Sequence, residues 1–181
     1  KITGDEVFAV LTDLLANEIA AAERPLASNE PDSVADTVAA VARELAAGRE
    51  LTAIGVSLGG ATEDGRVVER APYLQWRGVP FADILETRLG VPTVVDNDVF
   101  ALTAGEHWFG VARGVPNFAV VTIGAGVGLS LVRDDVVVRG RDVGLGMAGH
   151  IPLDASGPLC EWGHRGCSAA LLTIPSMEAQ A

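Results

Sequence analysis

The amino-acid sequence predicts an α/β fold in two lobes. Short, nearly continuous apolar runs such as Leu51–Leu58 and Val91–Val95 are typical of strands buried on both faces of a sheet. A helical apolar period follows Asp32, and the predicted elements alternate in the order β-β-α-β-α-β-α-β. Gly110–Asn117 is rich in turn residues, so we place the first lobe at residues 1–115 and the start of an incomplete second lobe at residues 116–181.

The first predicted elements are a hairpin and a helix. Val7–Leu14 and Glu18–Leu26 are rich in strand formers, and Asn17 between them suits a turn. A helix begins at Pro31-Asp32-Ser33, because apolar residues then recur at three- and four-residue spacing until Gly48.

The later elements follow the same alternation. The predicted strands are Leu51–Leu58, Arg66–Glu69, Val91–Val95, Phe118–Ile123, Leu129–Arg133 and Val136–Arg139. The predicted helices are Phe81–Leu89, Val99–Phe109 and a helical segment in Ala169–Ala181. We predict a loop over Ala71–Pro80 and a long irregular segment over Gly140–Cys167, and irregular segments of that length usually serve a ligand, a metal or another function.

Composition excludes several classes of protein. The 181 residues contain 24 Asp and Glu against 13 Lys and Arg, a formal charge of −11, and 49% are apolar. These values exclude a disordered or collagen-like chain, and the acidic balance argues against this segment gripping DNA phosphates by itself. No apolar run approaches the ~20 residues that span a bilayer. Two cysteines cannot define a disulfide-rich scaffold, and no signal peptide is visible.

Asp96-Asn97-Asp98 is the first candidate site. It follows a buried strand, and the carboxyl ends of strands face the ligand crevice in open α/β sheets. A carboxylate at that position can accept a proton from a substrate hydroxyl, while an amide holds a neighbouring hydroxyl. The alternative is that these residues cap the helix that follows.

The second candidate is the glycine-rich loop Gly124-Ala125-Gly126-Val127-Gly128. Glycine at every second position lets backbone N–H groups approach a phosphate. The loop lacks the Gly-Lys-Ser/Thr of a Walker motif and the third glycine of a dinucleotide fingerprint. A hairpin turn explains the pattern equally well.

The third candidate comprises His150, Cys160, His164 and Cys167, which fall within 18 residues. Thiolates and imidazoles at short separations in a loop suggest zinc, and a structural site usually needs four ligands. The alternative is two free cysteines and two incidental histidines.

Together these segments resemble the ROK family of repressors, open reading frames and sugar kinases. Gly149-His150, a nine-residue spacer and Cys160–Cys167 resemble the family motif Gly-His, spacer, Cys-x-Cys-Gly-x-x-Gly-Cys-x-Glu. Asp96–Glu106 resembles the family's Asn-Asp segment, and Ala71–Pro80 resembles the loop that precedes it. Gly124–Gly128 resembles the family's second phosphate loop.

The resemblance implies an actin-like, ribonuclease-H-like ATPase fold with a sugar bound between two lobes. Family kinases transfer the γ-phosphate of ATP to a sugar hydroxyl, whereas family repressors sense a sugar or sugar phosphate and carry an upstream helix-turn-helix. The resemblance also implies that Asn97, Asp98 and His150 contact the ligand, with Asp98 as the base in a kinase, and that His150, Cys160 and Cys167 bind zinc.

The chain departs from the kinase pattern where nucleotide would bind. Lys1–Glu6 stands where kinases have Asp-x-Gly-Gly-Thr-Lys, so Lys1 replaces the carboxylate that supports the magnesium–phosphate end. Met147 and Ala169 replace two Glu of the family pattern, and Trp162 replaces the middle zinc cysteine. His164 could complete a Cys₂His₂ site, a water could complete a three-ligand site, or the metal could be lost with Trp162 packed in its space.

We therefore interpret the chain as the sugar- or sugar-phosphate-binding effector domain of a ROK-type transcriptional regulator, whose DNA-binding segment is missing from this sequence. The alternative is an ATP- and magnesium-dependent sugar kinase of the hexokinase type, with Asp98 as base and Gly124, Gly126 and Gly128 at the phosphate. A third interpretation is a domain that keeps the fold only for dimerisation. We expect a cytoplasmic homo-oligomer that has no membrane association.

Overall fold

A computed structural model describes residues 1–139 and 148–180, which form two compact units, Lys1–Ala101 and Leu102–Ala181. The strands are β1 Glu6–Thr12, β2 Glu18–Pro25, β3 Ile54–Leu58, β4 Ala61–Glu63, β5 Val67–Ala71, β6 Trp76–Val79, β7 Thr93–Asn97, β8 Phe118–Ile123, β9 Val127–Arg133 and β10 Val136–Val137. The helices are α1 Pro31–Ala46, α2 Phe81–Leu89, α3 Asp98–Trp108, α4 Ser168–Leu172 and α5 Ile174–Glu178. The predicted α/β class is confirmed. The two compact units divide between residues 101 and 102, and the lobe boundary expected after residue 115 stays a prediction.

The first unit joins a hairpin to a pair of parallel strands. Strands β1 and β2 form the predicted antiparallel hairpin, and β3 pairs parallel with β7. Ile2 links the two pairs, because it forms an antiparallel bridge with Val7 and a parallel bridge with Leu58. This arrangement places Lys1 next to the carboxyl ends of β3 and β7.

Helices α1 and α2 pack their apolar faces against the strands of this unit. Pro31 begins α1, where its missing N–H costs nothing, and the helix ends at Ala47 in a left-handed conformation. The residues that α1 buries are Val34, Ala35, Val38, Ala39, Val41 and Ala46. Helix α2 buries Phe81, Ala82 and Leu85, and both helices contribute to one apolar core with β3, β5 and β7.

The predicted loop over Ala71–Pro80 is wrong. Its first residues form a 3₁₀ turn, Pro72–Leu74, and strand β6 follows and pairs antiparallel with β5. Trp76 explains the strand, because its indole is buried, packs 4.7 Å from the Phe81 ring and donates to the carbonyl of Asn29 at 2.6 Å. Strand β4 was not predicted and completes the three-stranded sheet β4-β5-β6.

The second unit contains a three-stranded antiparallel sheet in the order β10-β9-β8. Its three strands lie where strands were predicted, although β9 begins at Val127 instead of Leu129 and β10 ends at Val137 instead of Arg139. The predicted helical segment in Ala169–Ala181 is divided at Thr173, which caps α5 by accepting a hydrogen bond from the Ser176 N–H. Among residues 1–139 and 148–180, no helix has the length and apolar character needed to cross a membrane.

Candidate functional site

The first candidate region lies at the carboxyl end of β7. Asn97 is the last residue of this strand and Asp98 the first of α3, so the strand extends two residues beyond the predicted end at Val95. Because β3 runs parallel to β7, its own carboxyl end and Gly60 lie at the same edge of the sheet.

Asn97 is committed to the fold by both ends of its amide. Its Oδ1 accepts hydrogen bonds from the N–H groups of Val99 at 2.8 Å and Phe100 at 3.3 Å, which caps α3. Its Nδ2 donates to the carbonyl of Gly60 at 2.7 Å, and the residue is 6% exposed. The capping alternative therefore describes Asn97 in this structure, and a ligand contact by this residue stays a prediction.

Asp98 is held by an ion pair. Its Oδ2 lies 2.8 Å from the Nζ of Lys1, and the side chains are 21% and 50% exposed respectively. The backbone fixes Lys1 at this place, because the N–H of Phe8 donates to the carbonyl of Lys1 and the N–H of Ile2 to that of Ser57. Sequence reasoning identified both residues but missed their pairing, since no local pattern connects a residue at the start of the chain with one on α3.

The glycine-rich loop is a hairpin turn between β8 and β9. The N–H of Gly124 donates to the carbonyl of Gly126 at 3.0 Å, and Gly128 pairs with Thr122 inside the sheet. The carbonyl of Gly124 accepts from the N–H of Ile174 at the start of α5. A phosphate-binding role for Gly124, Gly126 and Gly128 stays a prediction of the kinase alternative.

The second candidate region brings the predicted cysteines and histidines together. The Nδ1 of His150 lies 3.8 Å from the Sγ of Cys160 and 3.6 Å from the Sγ of Cys167. The Nδ1 of His164 lies 3.6 Å from the Sγ of Cys160. His164, which sequence reasoning left as one of three alternatives, thus points into the group, and the ligand-forming atoms of His150, Cys160 and His164 lie within 4.8 Å of one another.

Backbone hydrogen bonds form this arrangement. The N–H of Cys160 donates to the carbonyl of His164 and the N–H of Gly163 to that of Cys160, each at 2.9 Å, so residues 160–164 form a tight turn. Gly163 lies at φ +81°, a conformation that favours glycine. Isolated β-bridges join Pro152 to Cys167 and Leu159 to Arg165 on either side of the turn.

The surroundings favour the forms of these side chains that bind metals. Burial, and after it the charge of His164, lowers the pKa of His150, which favours its neutral imidazole. Burial raises the pKa of the Cys160 thiol, but hydrogen bonds from the backbone N–H groups of Trp162 and His164 outweigh it and lower the net pKa. A neutral imidazole and a thiolate are the ligand forms that zinc requires.

Trp162, Ala169 and Met147 stand where the family pattern has other residues. Trp162 stacks on the His150 ring at 4.8 Å between centroids with its side chain 53% exposed. Ala169 lies in α4, where its N–H donates to the carbonyl of Gly149 at 2.7 Å. Met147 lies outside the described residues.

Proteins that share this fold include sugar kinases and a transcriptional regulator. The chain belongs to the ROK family, whose sequence profile matches residues 2–181. It is 33% identical over 155 residues to the glucokinase of Thermotoga maritima, covering 84% of this chain and 49% of that protein. It is 27% identical over 168 residues to the xylose repressor of Bacillus subtilis, covering 90% of this chain and 44% of that protein.

Solved structures show the same fold. A ROK-family transcriptional regulator homologous to the E. coli MLC protein superimposes with a TM-score of 0.88 at 22% identity, over 99% of this chain and 47% of that one. The actin-like ATPase fold implied by the resemblance is therefore confirmed. The chain spans about half the length of the curated relatives it matches.

Proposed function

We propose that this chain is the effector-binding domain of a ROK-family transcriptional regulator, with a sugar or sugar phosphate as its ligand. The observation that carries the proposal is the ion pair between Lys1 and Asp98. The alternative, a sugar kinase, is favoured by the retained Asp98 and by relatives named glucokinase.

The ion pair argues against phosphoryl transfer. In a kinase the base must accept the proton of the substrate hydroxyl, and magnesium with positioned positive charge must hold the phosphates. At Asp98 the ammonium of Lys1 already takes one carboxylate oxygen at 2.8 Å. Lys1 also puts a cation where the family kinases have an acidic residue that supports magnesium, which disfavours that metal through charge repulsion.

The same ion pair is compatible with binding. An ionised carboxylate has about four lone-pair sites, so Asp98 can accept hydrogen bonds from ligand hydroxyls while it remains paired with Lys1. Asn97 positions Asp98 by capping the first turn of α3. Under the proposal, Asp98 acts as a hydrogen-bond acceptor, and His150 contacts the ligand as the resemblance implies.

The relatives and the charge of the chain support a regulator whose DNA contacts lie elsewhere. The matched relatives include xylose repressors as well as glucokinases. A formal charge of −11 disfavours DNA binding by these residues themselves, so we propose that a helix-turn-helix outside them makes that contact and that the regulator works as a homo-oligomer.

The first test is enzymatic. We expect no ATP consumption when the protein is incubated with magnesium and a panel of hexoses, hexosamines and pentoses, with the glucokinase of Thermotoga maritima as positive control. Turnover of even ~1 s⁻¹, the low end for kinases, would overturn the regulator proposal in favour of the alternative.

The second test is the ligand affinity of an Asp98→Asn variant. This substitution keeps the shape of the side chain and removes its charge, so we expect sugar affinity to fall by ~1.5–3 kcal/mol, roughly 10- to 100-fold. Calorimetry with glucose, xylose and their phosphates measures the change. Asp134→Asn, in an exposed turn of the second unit, is the matched control. Equal sugar affinities in the two variants would show that Asp98 does not bind the ligand and only begins helix α3.

A further inference from the structure

We infer that His164 supplies the fourth ligand of a Cys₂His₂ zinc site in this chain, together with His150, Cys160 and Cys167. The resemblance assigns three cysteines and one histidine to the family site, and Trp162 stands at the middle cysteine. An indole nitrogen offers a donor but no lone pair to a metal, so Trp162 cannot replace that ligand. The inference is independent of whether the chain is a regulator or a kinase.

The distances between the side-chain atoms fit a tetrahedral site. With zinc–sulfur bonds of ~2.3 Å and zinc–nitrogen bonds of ~2.0–2.1 Å, the sulfur–nitrogen edge of a tetrahedron is ~3.6 Å. Three of the four sulfur–nitrogen pairs, His150 with Cys160, His150 with Cys167 and His164 with Cys160, measure 3.8, 3.6 and 3.6 Å. The Cys160 thiol also interacts with that of Cys167, so Cys167 contacts both Cys160 and His150.

The turn at residues 160–164 explains how a histidine reaches the position. The chain reverses between Cys160 and His164, because each end of the turn is closed by a backbone hydrogen bond of 2.9 Å. The left-handed Gly163 directs the backbone so that the His164 Nδ1 faces the Cys160 sulfur. Cys160 and His164, which lie in the same turn, therefore both act as ligands. In the family's Cys-x-Cys pattern the two ligands are two residues apart instead of four.

Trp162 takes a role outside the ligand set. Its ring lies 4.8 Å from that of His150 at an interplanar angle of 31°, while the His164 ring lies 4.5 Å from His150. His150 therefore contacts both the indole of Trp162 and the imidazole of His164. With two thiolates balancing Zn²⁺, the site would be neutral, whereas three thiolates would leave it with a charge of −1.

The test uses the full chain purified without added metal or chelator. We expect about one equivalent of zinc by elemental analysis, and cobalt substitution should give the intense visible bands of tetrahedral coordination together with sulfur-to-cobalt charge transfer. His164→Ala should lower zinc affinity on the order of 100-fold, since one of four ligands is lost. It should also weaken the tetrahedral cobalt bands while leaving the sulfur charge-transfer band.

Two further variants separate ligation from folding. His107→Ala removes the histidine that pairs with Asp135 and should leave zinc content and the cobalt spectrum unchanged. Adding Trp162→Cys to the His164→Ala variant should restore tight zinc binding with a stronger sulfur charge-transfer band. Zinc affinity and a cobalt spectrum that are unchanged in His164→Ala would overturn the inference, as would wild-type protein that lacks zinc and has two freely titratable thiols.

Discussion

The substitution Gly166→Ala is expected to disrupt the loop of the cysteine–histidine cluster and to abolish the zinc binding that we propose for it. Gly166 has φ +56°, and a Cβ at this residue would lie 1.5 Å from the carbonyl oxygen of Asp154 and 2.6 Å from its carbon. Both atoms are backbone, so the overlap cannot be relieved by rotating a side chain. Overpacking and left-handed strain together cost about 2–5 kcal/mol. The adjacent Cys167 would lose its place, because its backbone bridges to Pro152.

Gly163→Ala is the matched control for this prediction. Gly163 has φ +81° in the same loop, but a Cβ there has nothing within 4 Å. It should therefore suffer only the left-handed strain of ~1–2 kcal/mol and retain the metal. Zinc content and urea unfolding of the two variants measure the difference. Equal free energies of unfolding in Gly166→Ala and Gly163→Ala would contradict the structure of this loop.

Elements governed by local periodicity were predictable from the sequence. The helix α2 matches its predicted bounds at both ends, because Phe81, Ala82 and Leu85 form one apolar face and Gly90 ends the helix in a left-handed conformation. Strand β6 was missed, since it has only four residues and depends on distant partners. Trp76 packs against Phe81 and hydrogen-bonds to Asn29, and neither contact leaves a periodic signal.

The candidate site was predictable as a set of residues but not as a set of contacts. Asn97, Asp98, Cys160 and Cys167 stand out by residue type and position. The pairing of Lys1 with Asp98 depends on how Ile2 joins two strand pairs, which is a property of the sheet and not of any short segment. The direction of His164 likewise depends on backbone hydrogen bonds across a turn, and sequence spacing alone could not decide among its alternatives.

Replacing Asn97 by alanine is expected to lower the free energy of unfolding by about 1.5–5 kcal/mol. The loss of the helix cap costs ~0.5–2 kcal/mol. The loss of the hydrogen bond from Asn97 leaves the carbonyl of Gly60 unsatisfied, which costs ~1–3 kcal/mol more. Urea unfolding at an unchanged m-value measures this effect, because a shift of the midpoint alone then reports stability.

Asn97→Ser separates the two contributions and tests whether Asn97 also touches the ligand. A serine oxygen can still accept from the N–H groups at the start of α3 but is too short to donate to Gly60 as the amide does, so we expect it to recover ~0.5–2 kcal/mol relative to alanine. If capping is the whole role of Asn97, the folded serine variant binds sugars as the wild type does. A folded, capped Asn97→Ser protein with sharply weakened sugar affinity would instead support a contact between the second Nδ2 hydrogen of Asn97 and the ligand.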